Sequence, residues 1–272
     1  MSADKIVKKY FLFVIFCVCV QQVAAYDEPC RVYEYDTSAK SQFKRTWHDF
    51  GEFNKKIVSL DTIKIIAAGV PVYVVARILD KSTHKVFYCS AHHCNKRQMP
   101  NTLYHGVNVG LGVLMIGMAS LSFYKADRHL QRTAQLYALT LPYTWAAKKI
   151  LKTIKWDGCR RPKNQWFDKH KKYYGGCPSG HMMEIMYTAV LFGTQMGPRF
   201  GIPLGIFAGA VALESINCNR HFLSQLVAGA GVGVILGVAA NKALALPDTC
   251  DLRVQCVPDG AAGLAVRTEY RF

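Results

Sequence analysis

The segment GGCPSGHMMEIMYTAVLFG at 175–193 places a small turn and a histidine directly before a run of apolar residues and good helix formers. Ser179 and Gly180 would lie at the N-terminus of that helix, where backbone N–H groups are unpaired and the helix dipole is positive. An anion can approach the backbone closely at Gly180, and His181 adds an imidazole. The pattern favours an oxyanion site, although a PSGH turn by itself is more often a simple helix cap.

A second group of candidate residues is the basic stretch at 148–172, in which ten lysines and arginines face only two aspartates. Arg161 can bind two phosphate oxygens at once, and lysines add point charges. A stretch of this kind is also typical of a solvated positive surface. Its basic residues are Lys148, Lys149, Lys152, Lys155, Arg160, Arg161, Lys163, Lys169, Lys171 and Lys172.

The third candidate segment is ESINCNRHFLSQ at 214–225, which holds His221. One of the two histidines could attack phosphorus while the other protonates the leaving oxygen. If the cations neutralise the charge of the transferring group, this chemistry needs no metal and no other cofactor. In an up-and-down helical bundle the three segments would lie at the same end.

The elements that must position these residues are six apolar helical segments, so we predict an all-α fold, a six-helix bundle. Closely spaced small residues in the last segment predict close helix packing. We divide the chain into a signal peptide at 1–25, an N-terminal extension without clear periodicity at 26–56, a helical domain at 57–246 and a short irregular, disulfide-bearing tail at 247–272. The six segments are roughly 57–79, 103–124, 130–154, 181–197, 200–218 and 222–246.

The N-terminus and the cysteines both predict export. Residues 1–25 combine a basic start, an apolar core and a small-residue cleavage site, with an uncleaved anchor as the alternative. Beyond that segment an even number of cysteines, eight, suggests disulfides. The CSAHHC stretch at 89–94 favours disulfides over a metal site, because four ligands in six residues would crowd the ion. The simplest expectation for Cys159 and Cys177 is a disulfide across the basic stretch.

Charge and hydropathy together favour a membrane-embedded protein with a negatively charged partner. Lys and Arg outnumber Asp and Glu by 34 to 18, which fits an anionic membrane or a phosphate-bearing substrate. No motif for nucleic-acid binding accompanies this charge, so we expect no nucleic acid as a partner. If segment 57–79 lies on the surface and the other five cross, the candidate site faces the periplasm from a bacterial inner membrane. A soluble or peripheral periplasmic bundle is the alternative.

The candidate motifs resemble those of the type 2 phosphatidic acid phosphatase superfamily over residues 103–243. The similar features are Arg-Arg-Pro at 160–162, PSGH at 178–181, and His221 followed by a small-residue helix containing AGAGVG. The superfamily includes lipid phosphate phosphatases, bacterial acid phosphatases and vanadium haloperoxidases. The resemblance implies a helical bundle that hydrolyses phosphomonoesters or pyrophosphates without metal. It further implies the nucleophile His221, the general acid His181 and the phosphate-binding residues Arg161, Ser179 and Gly180.

Several positions depart from the pattern of this superfamily. Ile154 stands where the first motif has lysine, so Lys152 or Lys155 would have to serve. The third motif has Ser-Arg at 214–215 and Asp at 225, where this chain has Glu214, Ser215 and Gln225. Arg220, next to His221, is the candidate substitute for the missing arginine. We expect Gln225 to accept a hydrogen bond from the His221 ring without supplying charge, at a cost in rate.

The leading hypothesis is a phosphatase that acts through a phosphohistidine on a lipid-linked or small substrate. The candidates are phosphatidic acid, an isoprenoid pyrophosphate, a sugar phosphate and lipid A. The main alternative is a degenerate relative that binds phosphate or lipid head groups without turnover. A structural envelope protein with a basic end and a vanadate-dependent peroxidase are further alternatives.

Overall fold

The computed structural model describes residues 39–87, 101–162, 173–245, 251–259 and 263–271, and side chains within 40–86, 105–162 and 173–245. Seven α-helices occur in these residues. Five of them match predicted segments within a few residues, the second helix extends beyond its predicted segment, and the first was not predicted. The helices are α1 (Ala39–Ile57), α2 (Leu60–Phe87), α3 (Asn101–Ser120), α4 (Arg128–Leu151), α5 (Gly180–Met196), α6 (Pro198–Asn217) and α7 (Leu223–Leu244).

Local sequence signals explain where several helices begin. Asp127 caps α4, since its carboxylate accepts a hydrogen bond from the Leu130 N–H at 3.0 Å. Gly197, with a φ of 81°, separates α5 from α6, and Pro198 opens α6 in the first turn, where its missing N–H costs nothing. These signals place the turn between two antiparallel helices at 197–198.

Helix α1 corrects the prediction that residues 26–56 lack periodicity. Apolar residues recur at three- or four-residue spacing through Phe43, Trp47, Phe50, Phe53 and Ile57, and the charged residues between them hid this pattern. Phe53 is completely buried, and its ring meets the Tyr143 ring edge-on at 5.3 Å. The segment therefore contributes a helix to the core.

The predicted close packing around the small residues of α7 is present against α5. A methyl group at Gly229 would lie 2.4 Å from the Ser179 carbonyl oxygen, and one at Gly233 would lie 2.5 Å from the Met183 carbonyl oxygen. Only glycine allows backbones to approach so closely. This seam fixes the start of α5 against the start of α7.

Helix α2 runs antiparallel along α7. At one end Lys242 pairs with Asp61, and at the other end the Ser224 N–H donates to Asp80 at 2.8 Å. These contacts span most of the length of both helices. The two helices therefore share one orientation relative to a membrane. This corrects the predicted arrangement, in which the segment at 57–79 lay on the surface while the other five segments crossed.

The bundle surface is suited to a lipid environment. Four helical segments are long and apolar enough to cross a membrane: Leu60–Val86, His105–Phe123, Pro198–Asn217 and Leu223–Leu244. Many of their aliphatic side chains point outward, for example Val70 with 53% of its surface exposed and Ile116 with 73%. Exposed aliphatic side chains on helices of this length indicate a membrane-associated protein.

The C-terminal tail is not irregular, which corrects the prediction. Strands β1 (Asp251–Asp259) and β2 (Gly263–Arg271) form an antiparallel hairpin in which Asp251 pairs with Arg271. The alternation of side chains through 263–271 carried this signal. Cys250 lies outside the described residues, as do the predicted signal peptide and the CSAHHC stretch.

The predicted disulfide between Cys159 and Cys177 is absent. Both thiols are free and buried, and the Cys159 thiol donates to the Cys177 carbonyl oxygen at 3.8 Å. Burial and the neighbouring Cys159 thiol raise the pKa of Cys177 to about 12. Backbone hydrogen bonds join the two ends of the intervening segment instead, including one from the Gly176 N–H to the Cys159 carbonyl at 2.9 Å.

Candidate active site

One end of the bundle collects all three candidate segments, as the up-and-down arrangement predicts. Helices α2, α4 and α6 end there, and α5 and α7 begin there. We call this region the site end. It includes residues 148–152 at the end of α4, 179–181 at the start of α5 and 214–225 between α6 and α7.

His221 lies deep in the site end, with 4% of its surface exposed. Its Nδ1 lies 2.7 Å from the Gly176 carbonyl oxygen, so Nδ1 carries the proton and donates it to that hydrogen bond. Burial, followed by Arg161 and Arg220, holds the pKa of His221 well below its usual value. The ring is therefore neutral, and the lone pair of Nε2 is available as a nucleophile.

His181 has a different environment, dominated by cations. The Arg220 guanidinium donates to His181 Nδ1 at 3.3 Å, so the proton of the neutral ring is on Nε2. Burial and the charge of Arg220 lower the pKa of His181 to about 3. Lys152 and Arg161 act on both imidazoles electrostatically, which places the two rings in one cationic environment.

Arg220, the proposed substitute for the missing third-motif arginine, is held next to His181 by polar side chains. Its Nη1 donates to the Glu214 carboxylate at 2.9 Å and to the Asn108 side chain at 3.2 Å. Glu214 is fully buried and fixes the guanidinium beside His181. The carboxylate thus positions this arginine and also neutralises part of its charge.

Arg161 links the basic stretch to the turn that holds His221. Its guanidinium donates to the Gly175 carbonyl at 2.8 Å and to the Arg220 carbonyl at 3.0 Å. Burial and the neighbouring Arg220 lower the pKa of Arg161 to about 10, so it remains charged at neutral pH. Both of these acceptors are neutral carbonyls, so these two hydrogen bonds do not neutralise its positive charge.

The structure distinguishes the candidate lysines. Lys152 is half-buried and its side chain lies against Gly175, whereas Lys155 is exposed to solvent. Burial, with Arg161 next in importance, lowers the pKa of Lys152 to about 7. Lys152 rather than Lys155 therefore belongs to the cationic cluster.

Lys148 is a site residue that the motif comparison missed. Its side chain crosses directly over Gly180, and its ammonium group lies 4.0 Å from the Glu184 carboxylate. A methyl group at position 180 would lie 2.5 Å from this lysine chain. The sequence signal was the spacing of four residues between Lys148 and Lys152, which places both on one face of α4.

Ser179 is completely buried, and its hydroxyl has no hydrogen-bond partner within the described residues. Its backbone N–H donates to the Gln225 carbonyl at 3.0 Å, so that amide is not available to an anion. A buried hydroxyl without a partner is costly unless a ligand completes it. The side chain of Ser179, at the N-terminus of α5, is thus suited to an oxyanion.

Gln225 does not make the predicted hydrogen bond to the His221 ring. Its amide NH₂ donates to the carbonyls of Gly158 and Arg160, at 3.1 and 2.6 Å, and its amide oxygen accepts from the Phe222 N–H. The Gly176 carbonyl takes the place of a side-chain acceptor at His221 Nδ1. Gln225 therefore shapes the loop around the site rather than orienting the imidazole directly.

Helix α2 contributes residues that sequence reasoning did not select. Both carboxylate oxygens of Asp80 accept hydrogen bonds from Ser224, from its N–H at 2.8 Å and its hydroxyl at 2.7 Å. His84 hydrogen-bonds Asn219, whose φ of 55° marks a tight turn. These contacts hold the turn on both sides of His221, and no local motif could have indicated them.

The fold and the site define a helical, membrane-associated protein with two histidines in a buried cationic cluster at one end of the bundle. The chain belongs to the PAP2 superfamily, whose family model matches residues 9–245, and this confirms the predicted resemblance. Membership supports a phosphatase-type function.

Two further comparisons complete this result. The crystal structure of the first transmembrane PAP2-type phosphatidylglycerolphosphate phosphatase from Bacillus subtilis matches with 15% identity and a TM-score of 0.36. The match covers 73% of this chain and 94% of that one. A search of the curated proteins found no match.

Proposed function

We propose that the protein hydrolyses a phosphate ester or pyrophosphate of a lipid through a covalent phosphohistidine, without a metal ion. The observation that carries this proposal is the neutral His221 ring, with Nδ1 bonded to a carbonyl and Nε2 left for attack, in the same cationic cluster as His181. Arg161, Lys152, Ser179 and Gly180 bind the phosphate, and Arg220 and Lys148 add positive charge.

In the first step the Nε2 lone pair of His221 attacks phosphorus, and the bond from phosphorus to the ester oxygen breaks. The leaving oxygen takes a proton from His181 Nε2. For this transfer His181 must first be an imidazolium. A bound phosphate draws the Arg220 guanidinium toward its oxygens and adds negative charge, so Nδ1 of His181 can be protonated.

In the second step water attacks the phosphorus of the phosphohistidine. His181, now neutral, accepts a proton from that water, and the bond from phosphorus to Nε2 breaks. Inorganic phosphate leaves, and His221 recovers its lone pair. The cations stabilise the charge on the transferring group in both steps.

Purified protein should release phosphate from a generic phosphomonoester in the presence of a chelator, and vanadate should inhibit this release. Radiolabelled substrate quenched at alkaline pH should leave label on the protein that is acid-labile, as a phosphohistidine is. Glu52, a half-buried residue of α1 that pairs with Lys55, provides the control variant Glu52→Gln. Undiminished turnover by His221→Ala would disprove the assigned nucleophile.

A second candidate function is phosphate or head-group binding without turnover. Two observations favour it: Glu214 partly neutralises Arg220, and the acceptor at His221 Nδ1 is a neutral carbonyl. A carboxylate there would stabilise a positive imidazole, as a carbonyl cannot. Saturable binding of inorganic phosphate together with no hydrolysis of any tested ester would establish this function in place of catalysis.

A lipid substrate and an anionic membrane are the partners that the apolar surface of the bundle supports. We propose a site that faces the periplasm of a bacterial inner membrane, with α2 and α7 both crossing. This orientation places the start of α2 in the cytoplasm. It is therefore incompatible with the predicted signal peptide, which would export residue 26. Four basic residues lie at the opposite end, which this proposal places in the cytoplasm: Lys55, Lys56, Lys125 and Arg128.

The orientation can be tested with single cysteines introduced at Lys125 and Lys149, at opposite ends of α4. Both positions are exposed. In intact cells with a permeabilised outer membrane, a membrane-impermeant maleimide should label position 149 and not position 125. The reverse pattern would place the site in the cytoplasm.

A further inference from the structure

A cavity of about 860 Å³ lies beside the phosphate site, between the last turns of α2 and the loop at 157–162. Arg161 lines this cavity and also belongs to the cationic cluster around the two histidines. Phe222, the residue after His221, lines it as well. The cavity therefore adjoins the place where the reacting phosphate would lie.

The wall of the cavity carries more positive than negative charge. Its basic residues are Arg77, Lys81, Arg160 and Arg161, and its acidic ones are Asp80 and Asp157.

One of the two carboxylates of the wall, that of Asp80, is already engaged. Asp80 accepts from Ser224 through both oxygens and from Arg77 at 3.0 Å. Lys81 and Arg160, by contrast, have no carboxylate within salt-bridge distance among the described residues. The guanidinium of Arg160 lies over the Tyr174 ring, 6.0 Å from its centre.

We propose that this cavity is a second anion subsite, in which Lys81 and Arg160 bind a second phosphate group of the same substrate. The inference rests on the proposed function, since the first phosphate must lie at His221. Arg161 lies between the two positions and contributes to both. The preferred substrate class is therefore a phosphate ester that carries another phosphate group, rather than a simple monoester.

The test compares butyl phosphate with 1,4-butanediol bisphosphate, which share a carbon chain and differ by one phosphate. In Lys81→Gln and Arg160→Gln, the ratio of kcat/KM for the bisphosphate to that for butyl phosphate should fall about tenfold, as the loss of a charge-assisted hydrogen bond predicts. Lys81→Arg should retain the ratio. Lys85→Gln, one turn further along α2 and outside the cavity, is the matched control.

An unchanged ratio in both glutamine variants would overturn the inference. The inference would also be overturned if the two glutamine variants lost inhibition by free inorganic phosphate as strongly as they lost the preference for the bisphosphate. The wall would then bind a separate ion. If the wild-type protein hydrolyses neither ester, the proposed function fails, and equilibrium binding of the two esters then tests the subsite by itself. In that case the subsite is supported if the wild-type protein binds the bisphosphate more tightly than butyl phosphate and Lys81→Gln abolishes this difference. Equal binding of both esters by the wild-type protein overturns the subsite.

Discussion

The turn that carries His181 and the turn that carries His221 lie side by side, but different kinds of contact fix them. The first is held by backbone packing, since Gly229 of α7 allows the Ser179 carbonyl to approach closely. The second is held by side chains from distant segments, including Asp80 of α2, and by the Gly176 carbonyl. One histidine therefore depends on the seam between α5 and α7, and the other depends on the docking of α2.

The environments of the two rings differ as well, and this suits different tasks. A neutral carbonyl orients His221 and leaves it uncharged, as attack on phosphorus requires. A guanidinium faces His181 and disfavours a second proton on that ring. In the proposed mechanism the ring gains this proton when a phosphate binds, so the general acid forms only with substrate present.

The largest expected effect separates the two histidines. His221→Ala should lower kcat by roughly four orders of magnitude or more, because no nucleophile remains. His181→Ala should be far less harmful with p-nitrophenyl phosphate, whose leaving group needs little protonation, than with butyl phosphate. Initial rates on both substrates measure this. Equal losses on the two esters would remove the role of acid from His181.

The seam that fixes the His181 turn can be broken with one methyl group. In Gly229→Ala the new methyl would meet the Ser179 carbonyl at 2.4 Å, so we expect a loss of about 2 kcal/mol or more in the free energy of unfolding. Gly231→Ala is the matched control, since nothing lies within 4 Å of that position, and it should stabilise α7 by up to about 1 kcal/mol. Denaturation of both variants in detergent measures the difference. Similar stabilities would mean that the seam is not tightly packed.

The same contrast explains what the sequence could predict. The His181 turn was predictable because its signals are local: Ser179 and Gly180 before a helix, and small residues spaced by four in α7. The packing of α2 was not, because Asp80 and Ser224 are 144 residues apart and neither belongs to a motif. The acceptor for His221 was missed for a similar reason, since a backbone carbonyl carries no residue type.

The packing of α2 can be weakened without removing any group of the cationic cluster. In Asp80→Asn one charged acceptor for Ser224 becomes a neutral amide, so the turn around His221 loosens. We expect kcat to fall about tenfold, with KM changed much less, since the phosphate-binding groups remain in place. Asp61→Asn, at the other end of α2, is the control. A melting temperature that falls while kcat is unchanged would show that Asp80 supports the fold and does not position His221.

The last prediction concerns Lys152, whose charge acts on both turns and whose effect is confined to low pH. With its pKa at about 7, Lys152 is charged below that pH and neutral above it in the empty site, and a bound anion raises its pKa. Affinity for inorganic phosphate should therefore fall as the pH rises above 7, because binding must then be accompanied by uptake of a proton.

Lys152→Gln should bind about tenfold more weakly than wild type at pH 6 and nearly equally at high pH. The titration of phosphate itself affects both proteins alike and cancels in this ratio, which calorimetry measures. Lys149→Gln, exposed three residues earlier, should follow the wild type. A ratio that does not change with pH would mean that Lys152 contributes no titrating charge to the pocket.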